Sequence, residues 1–494
     1  MIGSRGEGHE KMKLSSPREA WKYLPGTNCK ECGEKTCLAF ASLLLERKKK
    51  LDECPLLFEP KYAEKGKKLA ELLAPEVREV EVGIGDKAIK IGGEDIMHRH
   101  ELTFFNRTAL AYDVWDTMKE EELRERVREI TNWRKFYVGE FLNVDAIAVR
   151  SVSDNAKTFA QCVKLVAEET DLPLVLCSFD TKQVEQGLKE VSDRNPLIYA
   201  ATEDNWKPFL ELATRYEVPV TLFSADLDML NTLAVTFSSA GVTNIVLDPG
   251  TYPTGKGLEE TLSRFIRIRR AGIVDGNKGI AYPLMSVPMT AWMVNGNGTG
   301  TGTGTGAKAE NTLETSYWEA ILADLFILKY ADIMILHSTE PHSLIPERTL
   351  VANIYTDPRR PVSVEPGLRE VGTPTAGESP LFVTTNFALT YYTVESDLAS
   401  NKIDSYLMVV DGEGMGVESA VAGGQLNAET MKDALESFDV EQKVKHKIMV
   451  IPGLAARLSG ETEDVTGWTV LVGPRDSGRI PGWMENNWPP ETFS

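Results

Sequence analysis

The chain has 494 residues, 42% of them apolar and 26% charged, and a formal net charge of −19. That length is too great for one hydrophobic core and implies about two to four domains. The acidic balance excludes nucleic acid as a main partner, because phosphate contacts want a basic surface.

The opening stretch, MIGSRGEGHEKMKLSS, is polar and lacks the apolar core of a secretion signal. No run approaches the ~20 apolar residues of a membrane span, so the expected compartment is the cytoplasm. Residues 1–15 read as a loose tail. Residues 16–60 carry four of the six cysteines in a module that would be marginal without a cross-link or metal. Its basic run, Arg47, Lys48, Lys49 and Lys50, reads as a solvated helix face or as a docking patch for an acidic redox partner. Residues 61–75 read as a helix ending near Pro75, followed by a strand-turn-strand, VREVEVGIGDKAIKIGG, with Gly85-Asp86 at the turn.

Apolar runs then alternate with helix patterns. The runs are ELTFFN (101–106), VDAIAV (144–149), LPLVLCSF (172–179), PLIYAA (196–201), VPVTLFS (218–224), NIVLDPG (244–250), GIAYPLMSV (279–287) and ADIMILHS (331–338). Short apolar strands suit a parallel sheet covered on both faces. Eight βα units match the closed TIM (β/α)8 barrel, with an open doubly wound sheet as the alternative. The Gly/Thr stretch at 295–306 reads as a flexible loop on the barrel's loop face, not a phosphate loop. Prolines at 346, 358, 361, 366, 374 and 380 mark an irregular linker. Beyond it, strands at 380–386, 405–411, 447–453 and 468–473 with intervening helices read as a four- or five-stranded parallel, doubly wound (Rossmann-like) domain. The expected division is 1–60, 61–345 and 346–494, with flexible linkers near 60–75 and 345–380.

The cysteine spacing is Cys29-x2-Cys32-x4-Cys37-x16-Cys54-Pro55. Three thiolates on a tight loop and a fourth from a distance suit an iron–sulfur cluster, here [4Fe–4S]. Gly26, Asn28 and Gly33 let that loop bend. Zinc is the alternative, but it favours paired CxxC knuckles or Cys–His pairs, and only one CxxC is present, with no histidine near it. Cys162 and Cys177 lie in apolar patterns and read as core thiols.

Several long strings carry a family resemblance: YLPGTNCKECGEKTCLAFAS (23–42), HELTFFNRT (100–108), VLDPGTYPTGKGL (246–258), ILHSTEP (335–341), TTNFALTYYTVESD (384–397), PGLAARLSG (452–460) and VGPRDSGRIPGWMENNWPP (472–490). Over nearly its full length the chain resembles the large (gamma) subunits of corrinoid/iron–sulfur proteins, which in archaea belong to the acetyl-CoA decarbonylase/synthase complex. The Gly/Thr stretch departs from the family pattern. The resemblance implies a methyl carrier. A base-off cobamide (corrinoid) in its cobalt(I) state accepts the methyl group of an N5-methyl-tetrahydropterin and passes it to or from the nickel site of acetyl-CoA synthase. The cluster re-reduces stray Co(II), and no side chain is expected to be catalytic.

The implied partners are the small (delta) subunit, as a heterodimer, and the acetyl-CoA synthase and carbon monoxide dehydrogenase subunits. The implied corrinoid contacts are Thr385, Asn386, Tyr391, Met415, Gly416, Val417, Glu418, Ser419 and Gly478. They fall at strand ends and glycine turns, where open sheets place ligands. None of the six histidines sits in an Asp-x-His-x-x-Gly pattern, which agrees with a cobalt lacking a protein base. Asp180, Asp226, Asp248 and His337, at barrel strand ends, read as structural or interfacial. Two rivals remain: an iron–sulfur electron carrier or scaffold without cobamide, and a self-sufficient methyltransferase whose own barrel binds the pterin.

Overall fold

The computed structural model describes residues 14, 16–99, 103–294, 309–356 and 361–489. The alternating hairpin forms as read. β1 (Glu79–Val82) pairs antiparallel with β2 (Ile89–Gly92), Glu79 opposite Gly92. Alternation puts Val80, Val82 and Ile91 on one buried face. They join a cluster with Ala109, Ala146 and Ile333, each at the start of a barrel strand, so the hairpin plugs the barrel's base.

β3 (Ala109–Trp115) opens the barrel. A side hairpin follows, β4 (Arg134–Tyr137) with β5 (Glu140–Asn143). The remaining staves are β6 (Ala146–Arg150), β7 (Leu174–Cys177), β8 (Leu197–Ala201), β9 (Val220–Phe223), β10 (Ile245–Asp248), β11 (Met285–Ser286) and β12 (Ile333–Leu336). All run parallel in the order β10-β9-β8-β7-β6-β3-β12-β11, and a parallel bridge between Leu247 and Leu284 brings the ends together. Small residues fill the narrow interior. On β3, Ala109 and Ala111 point in, while Leu110, Tyr112 and Val114 pack outward on the helices. Asn155, Asp180 and Asp226 cap the helices Ala156–Glu169, Thr181–Val191 and Leu227–Ser239, each accepting from first-turn N–H groups.

The last sheet has the order β13-β15-β14-β16-β17. Its strands are β13 (Gly367–Val371), β14 (Leu381–Thr385), β15 (Ser405–Val410), β16 (Ile448–Ile451) and β17 (Thr469–Val472). Separate apolar clusters cover its two faces.

Four readings need correction. Residues 103–106 of ELTFFN form a loop, and the first stave is Ala109–Trp115. The irregular stretch starts later than 345, because helix Pro341–Ile354 runs through Pro346. The boundary drawn at 345 therefore cuts a helix, and that at 60 precedes helix Ala63–Leu73, whose Leu69 packs into the cysteine module with Leu57. The terminal sheet is mixed rather than all parallel, since β13 pairs antiparallel with β15. The run Arg47–Lys50 is no helix face: helix Cys37–Leu45 ends before it, and Arg47 has φ +53°. The Gly/Thr stretch lies outside the described residues.

Candidate functional site

The cysteine loop is bent by left-handed residues, Gly26 (φ 72°), Asn28 (51°), Lys30 (69°) and Gly33 (83°). Asn28 Oδ1 closes it by accepting from the Cys37 N–H at 2.8 Å. Thr36 caps the helix that begins at Cys37, its Oγ1 accepting from the Ala39 N–H. Cys37 thus sits at a helix N-terminus, where the backbone favours a thiolate.

Cys29, Cys32, Cys37 and Cys54 line one small cavity, walled by Leu24, Phe40 and Leu56. All four are free thiols; Cys29 is exposed, while Cys37 and Cys54 are buried. Burial first, and then the charges of Cys32, Cys29 and Cys37, push the Cys54 thiol up, so the four share one electrostatic field. Among the described residues, no three Cys, His, Asp or Glu side chains converge to hold a single metal ion. Three thiols from one tight loop and a fourth brought in from a distance to the same cavity suit an iron–sulfur cluster.

The basic run has taken other work. Arg47 donates to Gly93 O (2.7 Å) and Asp95 Oδ2 (2.6 Å) and stacks on Phe105, fastening the module to the barrel base. Lys49 donates to Cys32 O (3.3 Å) and Glu53 (2.6 Å).

In the terminal sheet, β14 lies between β15 and β16, so the strand order reverses beside it. Open α/β sheets bind ligands at such switch points, beyond the carboxyl ends of the strands. A crevice of about 360 Å³ lies there, lined by Thr384 on β14, Thr390 and Thr393 on helix Ala388–Ser400, Pro452 after β16 and Arg475 after β17. The Thr384 and Thr385 hydroxyls are buried with no partner among the described residues. The crevice's size and its apolar walls fit a large flat cofactor.

Of the nine implied contacts, only Val417 lines this crevice. Thr385 is buried at the end of β14. Asn386 is spent as a clasp, accepting from the Gly412 and Gly414 N–H groups and donating to Asp411. The Tyr391 hydroxyl donates to Glu395 at 2.7 Å. Gly416 caps the short helix Val417–Gly423, next to half-buried Met415, and Glu418 and Ser419 face solvent. Gly478 is exposed beside Ser477, which does line the crevice. Sequence reasoning missed Thr384, Thr390, Pro452 and Arg475. Pro452 and Arg475 had a signal in the turns after their strands, Pro452-Gly453 and Gly473-Pro474; Thr384 and Thr390 had none.

The barrel mouth carries a separate polar ring. Asp113, fully buried, accepts from Arg150 Nε (2.6 Å) and Arg126 (3.1 Å) and pairs with His337 Nδ1 (2.7 Å). Burial alone would raise this carboxyl; His337 and the two arginines more than offset it and hold it far below the usual range. Tyr199 donates to Asp248 (2.9 Å), whose carboxyl burial pushes up to about 6. Asp180 and Asp226 are helix caps. Burial pushes both core thiols, Cys162 and Cys177, up to about 12.

Residues 24–56 match a family model for an Fe-S cluster. Residues 79–484 match the family described as CO dehydrogenase/acetyl-CoA synthase delta subunit. Fold and cysteine site together define an iron–sulfur barrel protein of the CO dehydrogenase/acetyl-CoA synthase class. Among curated proteins, the chain is 54% identical over 484 residues to the acetyl-CoA decarbonylase/synthase complex subunit gamma of Methanosarcina acetivorans, covering 97% of this chain and 100% of that one. It is 51% identical to the subunit gamma of Archaeoglobus fulgidus, covering 97% and 100%, and 40% identical to that of Methanothermobacter thermautotrophicus, covering 94% and 98%. The chain belongs to the acetyl-CoA decarbonylase/synthase complex subunit gamma family. Solved structures that overlap it include a Yersinia pestis dihydropteroate synthase with a pterine-sulfa conjugate (14% identity, TM-score 0.35, 50% of this chain and 93% of that one). Another is a clostridial dihydropteroate synthase in the presence of pteroic acid (15%, TM-score 0.36, 51% and 98%). Among the described residues no helix is long and apolar enough to cross a membrane.

Proposed function

We propose that the chain is the cofactor-bearing half of a cytoplasmic methyl carrier. A [4Fe–4S] cluster is held by Cys29, Cys32, Cys37 and Cys54, and a corrinoid is received at the crevice between β14 and β16. The methyl donor is an N5-methyl-tetrahydropterin, and the acceptor, reversibly, is the acetyl-CoA synthase subunit. The small delta subunit completes the corrinoid site as a heterodimer partner, within a complex that also holds carbon monoxide dehydrogenase. When bound, the corrinoid supplies a cobalt nucleophile for the methyl group, and the cluster supplies low-potential electrons that restore it.

The observation that carries this reading is the switch-point crevice itself, at the carboxyl ends of β14 and β16. Thr390 offers its hydroxyl to the ligand's polar rim, Thr393, whose hydroxyl donates to Leu389 O, can accept from it, and Val417 and Leu454 offer apolar surface. Among the described residues the crevice lining holds no histidine, and His446 lies at the other end of β16, bonded to Ser379 O. This supports a cobalt without a protein base. The barrel mouth weighs against a self-sufficient methyltransferase, because the Asp113 oxygens are already committed to His337, Arg126 and Arg150.

The test is an anaerobic visible spectrum with cobalt and iron counts on the chain co-purified with its small partner. Val417→Trp, which fills the crevice, is expected to lose cobalt and the corrin band while keeping iron. A native complex with cluster absorbance only refutes the reading, as does a variant that keeps its cobalt. Methyl-tetrahydropterin binding to the isolated chain would revive the self-sufficient rival.

A further inference from the structure

Residues 16–60 hold eight Lys or Arg and seven Asp or Glu, so no excess of carboxylates masks a cation fixed there, although the whole chain is strongly acidic. The fold fixes one such cation against the cysteine loop. Helix Cys37–Leu45 stops at the left-handed Arg47, with the Lys48 N–H donating to Leu43 O (2.9 Å) and the Arg47 N–H to Leu44 O (3.1 Å). This pair of bonds is a Schellman cap. Lys49 follows it and reaches the loop: its Nζ donates to Cys32 O (3.3 Å) and to Glu53 Oε2 (2.6 Å). A Cβ placed on Gly33 would lie 3.8 Å from that Nζ. Glu53 is pinned in turn, because its other oxygen accepts from the Lys50 N–H at 2.8 Å. Only 27% of the Lys49 side chain is exposed, against 64% of Lys48, so Lys49 is the held member of the pair.

Stability gives little reason for this arrangement. A surface ion pair contributes little, and ordering a long lysine side chain costs rotamer entropy. A charge fixed beside a redox group does something else. Reduction of an iron–sulfur cluster adds one electron and one unit of negative charge, with no bond made or broken, and its potential follows net charge, hydrogen bonds and exposure. A cation held at a ligand's own backbone stabilises the reduced form more than the oxidised one. The Glu53 carboxylate offsets part of this. Its oxygens bond Lys49 and the Lys50 N–H, however, and the loop carbonyl bonds the ammonium. Glu34 is the other acidic neighbour of Lys49.

We propose that Lys49 is a positioning residue for electron transfer: braced by Glu53 against the Cys32 carbonyl, its ammonium raises the reduction potential of the cluster on Cys29, Cys32, Cys37 and Cys54. The inference rests on the cluster reading above, and the experiment separates the two. The full chain, co-purified with its small partner, is titrated anaerobically with titanium(III), which gives up one electron and becomes titanium(IV). Electron paramagnetic resonance reads the reduced cluster, and iron is counted in each sample. Lys49→Gln should keep its iron and lower the potential by about 30–60 mV, a three- to tenfold shift in the reduction equilibrium. Lys49→Arg, which keeps the charge, should show less than half of that shift. Where Lys49→Gln loses its iron, Glu53→Gln decides: with the opposing charge gone, the potential should rise. Four results overturn the proposal. An iron-replete Lys49→Gln moves by less than threefold or moves up; Lys49→Arg falls half as far as Lys49→Gln or further, which makes the side chain a loop tether; Glu53→Gln, where it decides, fails to rise; or both neutral variants lose their iron. A native chain with neither iron nor a cluster signal refutes the cluster reading itself, and this inference with it.

Discussion

Glu94→Gln removes a carboxyl whose protonation the fold controls. In the folded chain, burial and then Asp332 push that group from 4.5 up to about 8. Unfolded, it returns to about 4.3. Between these values the folded chain keeps a proton that the unfolded chain has released, so rising pH favours unfolding. Below the window the effect is absent, and above about 8 it is complete. Each unit inside the window costs about 1.4 kcal/mol, so the roughly 3.5 units amount to about 5 kcal/mol as an upper figure. The amide carries no such titration. Stability of the variant relative to the native chain should therefore rise by about 1 kcal/mol per pH unit from pH 5 to 8, then level off. In a barrel of this size that is a gap in Tm widening by about 2–4 °C per unit. Anaerobic scanning calorimetry at one scan rate, from pH 5 to 9, reads it, because groups unchanged by the substitution cancel in the difference. A gap independent of pH, or one that narrows as pH rises, refutes the reasoning.

Four further outcomes are expected. Cys54→Ser should lose iron and the cluster's absorbance, whereas Cys162→Ser should keep its iron and lose about 1–3 kcal/mol of stability through a buried hydroxyl, read by iron assay and melting. Asp113→Ala strands Arg150 and Arg126 at the barrel mouth and should cost about 3–5 kcal/mol in denaturant titration. The carboxylate it removes is held far below its usual range, so its contribution is present above about pH 4 and lost only in stronger acid. In Gly139→Ala the new Cβ would meet the Tyr392 ring at 2.3–2.4 Å from a backbone at φ +86°, so helix Ala388–Ser400 should lose its seat on hairpin β4–β5 and become protease-sensitive. Arg47→Ala should raise hydrogen exchange across residues 16–60 while leaving the iron count unchanged.

Much of this architecture was legible because parallel staves are short, apolar and regularly spaced. The first stave escaped because its inward residues, Ala109 and Ala111, are small where the barrel is tight, so the run lacks β-branched weight. ELTFFN, more strand-like in composition, is the approach loop. Pro346 misled because proline usually ends a helix, yet here it lies inside one. Strand β13 is one edge of five residues after a proline-rich stretch, too short to announce its direction. At the candidate sites, the cysteines declared themselves by spacing. The crevice did not, because its walls come from the ends of three strands and from three helices distant in sequence, which only the fold brings together. Asn386 shows the limit: its place at a strand end was readable, but not that the 411–414 turn consumes its side chain.

Staves in this barrel run from base to mouth and helices return, so whatever joins at a helix end joins at the base. Arg47 fastens the cysteine module there, through Gly93 and Asp95. The chain also leaves the barrel there, at the end of helix Pro341–Ile354, and hairpin β4–β5 receives Tyr392 from the same side. The barrel is thus a pedestal loaded from below. Both attachments therefore sit at the end opposite the loops that follow the staves.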